Sequence, residues 1–156
     1  MMAVNDLAEL LKCAVPEVFS TMLSMEASPQ PADAPKPVFD AQVAGAVGFT
    51  GKLDGVVYLF TPVSFARLIT GRLLGLSDNE IDGDDMVNDA IGELTNMVVG
   101  HVKSRMCDRG AACVMTIPSV VRGSHFSITP VSPTDSRTLH FVCQDQHLLV
   151  QVLVKP

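Results

Sequence analysis

Asp89-Ala-Ile-Gly-Glu93-Leu-Thr-Asn96-Met-Val-Val-Gly100-His-Val-Lys103 is the stretch whose periodicity organises the rest of the chain. At roughly 100° per residue, Val87, Ile91, Leu94, Val98 and Val102 share one side of a helix and form a core face. Asp89, Gly92, Glu93, Asn96, Gly100 and Lys103 share the other side. That outward stripe holds a carboxylate and an amide three residues apart, with two glycines beside them. Glycine within a helix costs about 1 kcal/mol relative to alanine, so a pair on one stripe needs a reason. Close approach by another backbone is one, and it makes the stripe a candidate docking face with chemistry at its centre.

The Glu-x-x-Asn pattern does not decide this alone. With five Glu and four Asn in 156 residues, about one chain in eight of this composition contains it by chance. An ordinary solvated helix face meets the same description.

Working outward, the N-terminal segment Asp6 to Met25 carries Leu7, Leu10, Leu11, Ala14, Val18, Phe19, Met22 and Leu23 at helical spacing. Pro16 disfavours helical geometry at Val15, so this helix is either kinked or restarted there. Residues 27–37 hold four prolines and read as an extended linker. Strands are expected over Val38 to Thr50 and Gly55 to Phe60, with Gly51, Asp54 and Gly55 in the turn. Thr61-Pro62 reads as an N-cap and first helical residue of a helix that runs to about Leu74 and stops at Gly75.

Ser77-Asp-Asn-Glu80 has the form of a capping box, and Asp82, Asp84 and Asp85 suit the positive end of the next helix dipole. That placement accounts for the acidic cluster without a metal. The site helix ends near Asp108-Arg-Gly110. Strand alternation follows over Ala112 to Val121, Ser124 to Thr129, Arg137 to Cys143 and His147 to Val154, with a short hairpin at Gln144-Asp-Gln146. The expected fold class is α+β: a single domain over residues 1–156, about three helices packed on a largely antiparallel sheet.

Composition narrows function. A net charge of −6 disfavours a nucleic-acid partner. No apolar run approaches the roughly 20 residues of a membrane span, and no secretory signal is visible at Met1-Met-Ala-Val-Asn-Asp6, so a cytoplasmic location is expected. Cys13, Cys107, Cys113 and Cys143 lack Cys-x-x-Cys spacing and read as reduced, packed thiols. No zinc site is expected, and His101, His125, His140 and His147 are too scattered to suggest a catalytic base. Eight methionines suit a surface that tolerates repacking.

Asp89-x-x-x-Glu93-x-x-Asn96, followed after 21 residues by Pro118, resembles the signature of the CheC/CheX/FliY family of chemotaxis proteins, in which the last gap is 22. Val15-Pro-Glu-Val-Phe-Ser-Thr-Met-Leu23 and Gly51-Lys-Leu-Asp-Gly-Val-Val-Tyr-Leu-Phe60 are also family-like. The resemblance spans about residues 5–155. One copy of the motif, rather than two, places the likeness nearer CheX than CheC.

The resemblance implies a phosphatase acting on the aspartyl phosphate of a CheY-like receiver domain, a component of two-component signalling. Asn96 then orients the attacking water and Glu93 pairs with the receiver's lysine. Asp89, Gly92 and Gly100 lie at the partner face, although a solvated acid explains Asp89 equally well. Lys103 reads as a solvating residue. The resemblance also implies a homodimer, no cofactor of the chain's own and a Mg2+ ion held by the receiver. The competing class is a non-catalytic receiver-binding or dimerisation module of a motility assembly.

Overall fold

The computed structural model describes residues 2–131 and 133–156. Helix α1 (Val4–Leu23) is followed by β1 (Ser28–Pro29), β2 (Ala41–Gly51), β3 (Gly55–Pro62) and α2 (Val63–Leu74). A short 3-10 turn (Asp78–Glu80) leads into α3 (Gly83–Asp108), then β4 (Cys113–Met115), β5 (Ser119–Ser124), β6 (Asp135–Cys143) and β7 (Gln146–Val154). The strands form one antiparallel sheet in the order β1-β6-β7-β3-β2-β4, with β5 also paired to β2. This is the α+β architecture expected from the order of sequence patterns.

Alternation divides the sheet into two faces. Val43, Val47, Phe49, Val57, Leu59, Phe141, Leu148, Val150 and Val152 point to the main core, where the three helices pack. The outer face carries a smaller cluster of Phe39, Ala44 and Phe60, covered in part by Tyr58, Phe126, Ile128 and Leu149. Gln144 and Asp145, at φ 49° and 64°, turn β6 into β7, as the sequence suggests and as a tight primed turn requires.

Helix α1 runs unbroken through Pro16, so neither the expected restart nor a second segment is present. Its core face, buried from Val4 to Leu23, holds it on the sheet despite the missing N–H. The Pro-rich stretch is not all linker: Ser28 and Pro29 pair with Val142 and Phe141, and the Gln30 N–H donates to the His140 carbonyl at 2.8 Å. Proline is admissible there because β1 is an edge strand.

Three local expectations need correction. Thr61 does not cap α2: Thr61 and Pro62 are paired with Val43 and Gln42 in the sheet, the Thr61 side chain is buried, and α2 begins at Val63. The single strand expected over Ala112 to Val121 is two, because Thr116 closes on Gly48 through two bonds of 2.9 Å and Pro118 has no N–H to continue a ladder. The strand expected over Ser124 to Thr129 is absent. His125 adopts φ 51° and donates its N–H to the Asp40 carbonyl, which turns the chain so that Phe126 and Ile128 fold back on the outer face.

The thiols divide as well. Cys113 and Cys143 are buried, and burial raises the pKa of each, whereas Cys13 and Cys107 are exposed. Among the described residues, no helix is long and apolar enough to cross a membrane.

Candidate active site

Helix α3 presents the stripe. Val87, Ile91, Leu94, Val98 and Val102 are buried as the periodicity requires, joined by Ala90, Thr95, Val99 and Met106. Its first turn carries Asp84 and Asp85 and its last turn Arg105, which complements the helix dipole at both ends. The approach is fixed by the expected capping box: Glu80 Oε1 accepts from the Ser77 N–H at 3.0 Å and from the Ser77 hydroxyl at 2.7 Å. Those two donors hold the Glu80 carboxyl below its ordinary pKa.

Two contacts that sequence reasoning missed seat α3. Thr95, fully buried, donates its hydroxyl to the Ile91 carbonyl at 2.7 Å and lies directly over Gly45 of β2, where any Cβ would collide with Thr95 Oγ1. The helix therefore sits as close to the sheet as a glycine permits. A visible signal was the run Ala44-Gly45-Ala46 inside a strand, since an isolated strand glycine marks close backbone approach. Arg122 of β5 supplies the second contact, donating from Nε and Nη2 to Asn88 Oδ1 at 3.1 and 3.0 Å. Its Nη1 lies 3.7 Å from Asp84.

The structure brings Asp89, Glu93, Asn96 and Gly100 onto one open face. Asp89 and Glu93 are exposed; Asn96 and Gly100 are half-buried. Glu93 and Asn96 are separated by about 4.5 Å of helix rise. The hydrogen-bonded side chains in this part of α3 are Asn88 and Thr95; among the described residues, nothing engages those of Glu93 or Asn96. A carboxylate and an amide held on a rigid helix and left unpaired suit work on an external partner.

Gly92 is the exception. It is buried, facing Pro118 and Val120, so the chain's own β4–β5 segment covers it and the open stripe passes it by. The position of Pro118 is thereby explained: it lies in the coil just before β5, against α3 one helical turn from Asn96. Gly100 instead has nothing beyond its own helix backbone within 4 Å of its missing Cβ, among the described residues.

On the other flank, Leu73, Leu74, Met86, Ala90 and Met97 line a groove of about 420 Å³ between α2 and α3, rimmed by Asp89 and Glu93. A cavity of about 360 Å³ lies across the sheet, against Phe39, Phe60, Phe126 and Leu149, far from the Glu93–Asn96 pair. Among the described residues, no group of three or more His, Cys, Asp or Glu is disposed to hold a metal.

An open helix face with an unpaired carboxylate and amide is matched by relationship as well. The family model of the chemotaxis phosphatase CheX matches residues 43–143, which include Asp89, Glu93, Asn96 and Pro118. The chain belongs to the CheX family. The CheY-P phosphatase CheX of Thermotoga maritima is 29% identical over 83 residues, 53% of this chain and 52% of that protein, so the match spans about half the length of each. The crystal structure of the chemotaxis protein CheX from Vibrio vulnificus superposes with a TM-score of 0.84 at 25% identity, covering 99% of this chain and 100% of that one. CheX from Borrelia burgdorferi, solved in complex with CheY, BeF3 and Mg2+, superposes with a TM-score of 0.79 at 18% identity, over 97% and 99% of the two chains. At that identity the likeness is one of fold.

Proposed function

We propose that this CheX-family chain hydrolyses the aspartyl phosphate of a CheY-like receiver domain. The observation that carries the reading is the exposed Glu93 and half-buried Asn96, one turn apart on α3 and engaged by no hydrogen bond or ion pair among the described residues. Hydrolysis of an acyl phosphate requires a water in line with the phosphorus–oxygen bond that breaks. Positioning and charge stabilisation supply most of the catalysis for phosphoryl transfer.

Asn96 orients that water through its amide, whose oxygen accepts a hydrogen bond from it. An amide is not a strong base, so the water's proton leaves with the phosphate as the receiver's aspartate departs as carboxylate. Glu93 pairs with the receiver's lysine and sets α3 over the phosphoryl group. The magnesium ion in this reading belongs to the receiver. Asp89 borders Glu93 and adds negative charge toward a cationic partner surface; Gly100 leaves room for the partner's backbone.

A homodimer is part of the same reading. The outer sheet face leaves Val121 48% exposed beside a cluster of aromatic side chains, a surface suited to a second copy. Light scattering that returns a monomer at micromolar concentration contradicts this element alone.

The test is phosphate release from a phosphorylated CheY-like receiver. The parent accelerates it, Asn96→Ala loses at least about 100-fold while still binding the receiver, and Glu93→Lys weakens binding itself. Parental turnover by Asn96→Ala refutes the mechanism. Binding without turnover by the parent leaves the receiver-docking module as the function.

A further inference from the structure

We propose that the groove between α2 and α3 seats an apolar side chain of the receiver domain, next to the lysine that meets Glu93, and selects which receivers are dephosphorylated. The proposal rests on the receiver-phosphatase reading and adds an anchor to it. The groove is built by two elements: Leu73 and Leu74 from the end of α2, and Met86, Ala90 and Met97 from α3. Gly75, at φ 69°, ends α2 there and so leaves Leu74 as a lip, 50% exposed. Leu73, Met86 and Met97 are partly buried against the main core, with one side left open.

The occupant follows from what borders the groove. Asp89 and Glu93 form its rim, and between Gly83 and Gly100 the helix carries four carboxylates and no lysine or arginine. An apolar hollow whose charged lining, among the described residues, is negative is complementary to an apolar side chain flanked by a cation. A groove lined by two carboxylates does not favour a free small anion, and a fully apolar partner leaves Glu93 unpaired. The groove is also continuous with the Glu93–Asn96 stripe, so a protein that covers the stripe covers the groove. The rim charges govern encounter, whereas a desolvated apolar anchor governs how long the complex lasts. Two methionines on the α3 wall let the hollow adjust to different side chains.

The experiment compares Leu74→Ser and Met97→Ala with Asn96→Ala. The readouts are affinity for a receiver loaded with beryllium fluoride and magnesium, and phosphate release from the same receiver when phosphorylated. Leu74→Ser lies at an exposed helix end, and an unchanged unfolding midpoint establishes that it is folded. Leu74→Ser and Met97→Ala are expected to raise Kd and KM about tenfold with kcat retained at saturation; Asn96→Ala does the reverse. Parental Kd and KM in Leu74→Ser, with turnover lost in Asn96→Ala, overturns the groove and leaves the phosphatase standing. Absence of turnover in the parent overturns the phosphatase reading itself.

Discussion

Pro118 lies against Gly92: a Cβ on the glycine would stand 3.6 Å from the proline's own Cβ and 3.5 Å from Val120 Cγ2. The proline of the family signature thus meets the site helix between Asp89 and Glu93, on one flank. The contact keeps the β4–β5 segment beside α3, where Arg122 adds its bonds to Asn88.

Those distances are ordinary van der Waals separations, so Gly92→Ala fits without displacement. The substitution is expected to stabilise α3 by up to about 1 kcal/mol, raising the unfolding midpoint by about 2–4 °C, with phosphate release unchanged. Gly100 behaves differently. Gly100→Met also improves helix propensity, but it fills open space on the side proposed to meet the receiver, and receiver affinity is expected to fall about tenfold while thermal stability holds. Calorimetry together with a binding titration separates the two glycines.

Gly45→Ala forces a methyl group into Thr95 Oγ1 and close to the Ile91 carbonyl. Both belong to the helix backbone or a buried, hydrogen-bonded side chain, so α3 must lift from β2. The expected loss is about 1–3 kcal/mol of stability, seen as a lower midpoint in urea. Catalysis should fall with it, because displacement of the helix moves Asn96. The double variant Gly45→Ala/Thr95→Ser retains the clash, since serine keeps the offending oxygen; Thr95→Ala is the change that relieves it in part.

His140 gives the fold a pH dependence. Its ring is buried, Nε2 lies 2.9 Å from Nδ1 of His147, and its own Nδ1 has no hydrogen-bond partner among the described residues. Burial, then the neighbouring His147, then Lys36 push its pKa below the ordinary value of 6.5. On acidification the unfolded chain takes up this proton before the folded one does. The stabilising contribution is therefore complete above pH 6.5 and declines as pH falls through 6.5 toward the lower folded value. Urea midpoints measured at pH about 7.5 and about 5.5 should differ more in the parent than in His140→Gln. An identical difference in both proteins places the acid sensitivity elsewhere.

The site helix was legible because its two sides differ in chemistry. Val87, Ile91, Leu94, Val98 and Val102 recur at the helical period, and nothing polar interrupts them. The hairpin at Gln144-Asp145 and the box at Ser77–Glu80 were legible for a similar reason, as each is set by residues a few positions apart. Local chemistry misleads where a distant strand decides the outcome. Thr61-Pro62 has the chemistry of a helix start, but pairing with β2 keeps both residues in the sheet. Gly92 falls near the exposed stripe by angle, yet the segment that covers it comes from beyond the end of the helix.

By itself, the sequence determined the class of fold, the helix that bears Glu93 and Asn96, and the face on which they stand, since these follow from local periodicity and from burial of apolar side chains. The tertiary structure decided which parts of that face remain open. Pro118 and Val120 close over Gly92, Thr95 rests on Gly45, and Leu74 from α2 forms the lip of a groove beside Glu93. Each of these joins residues from different elements, and their meeting depends on how the helices are seated on the sheet, which no local pattern encodes.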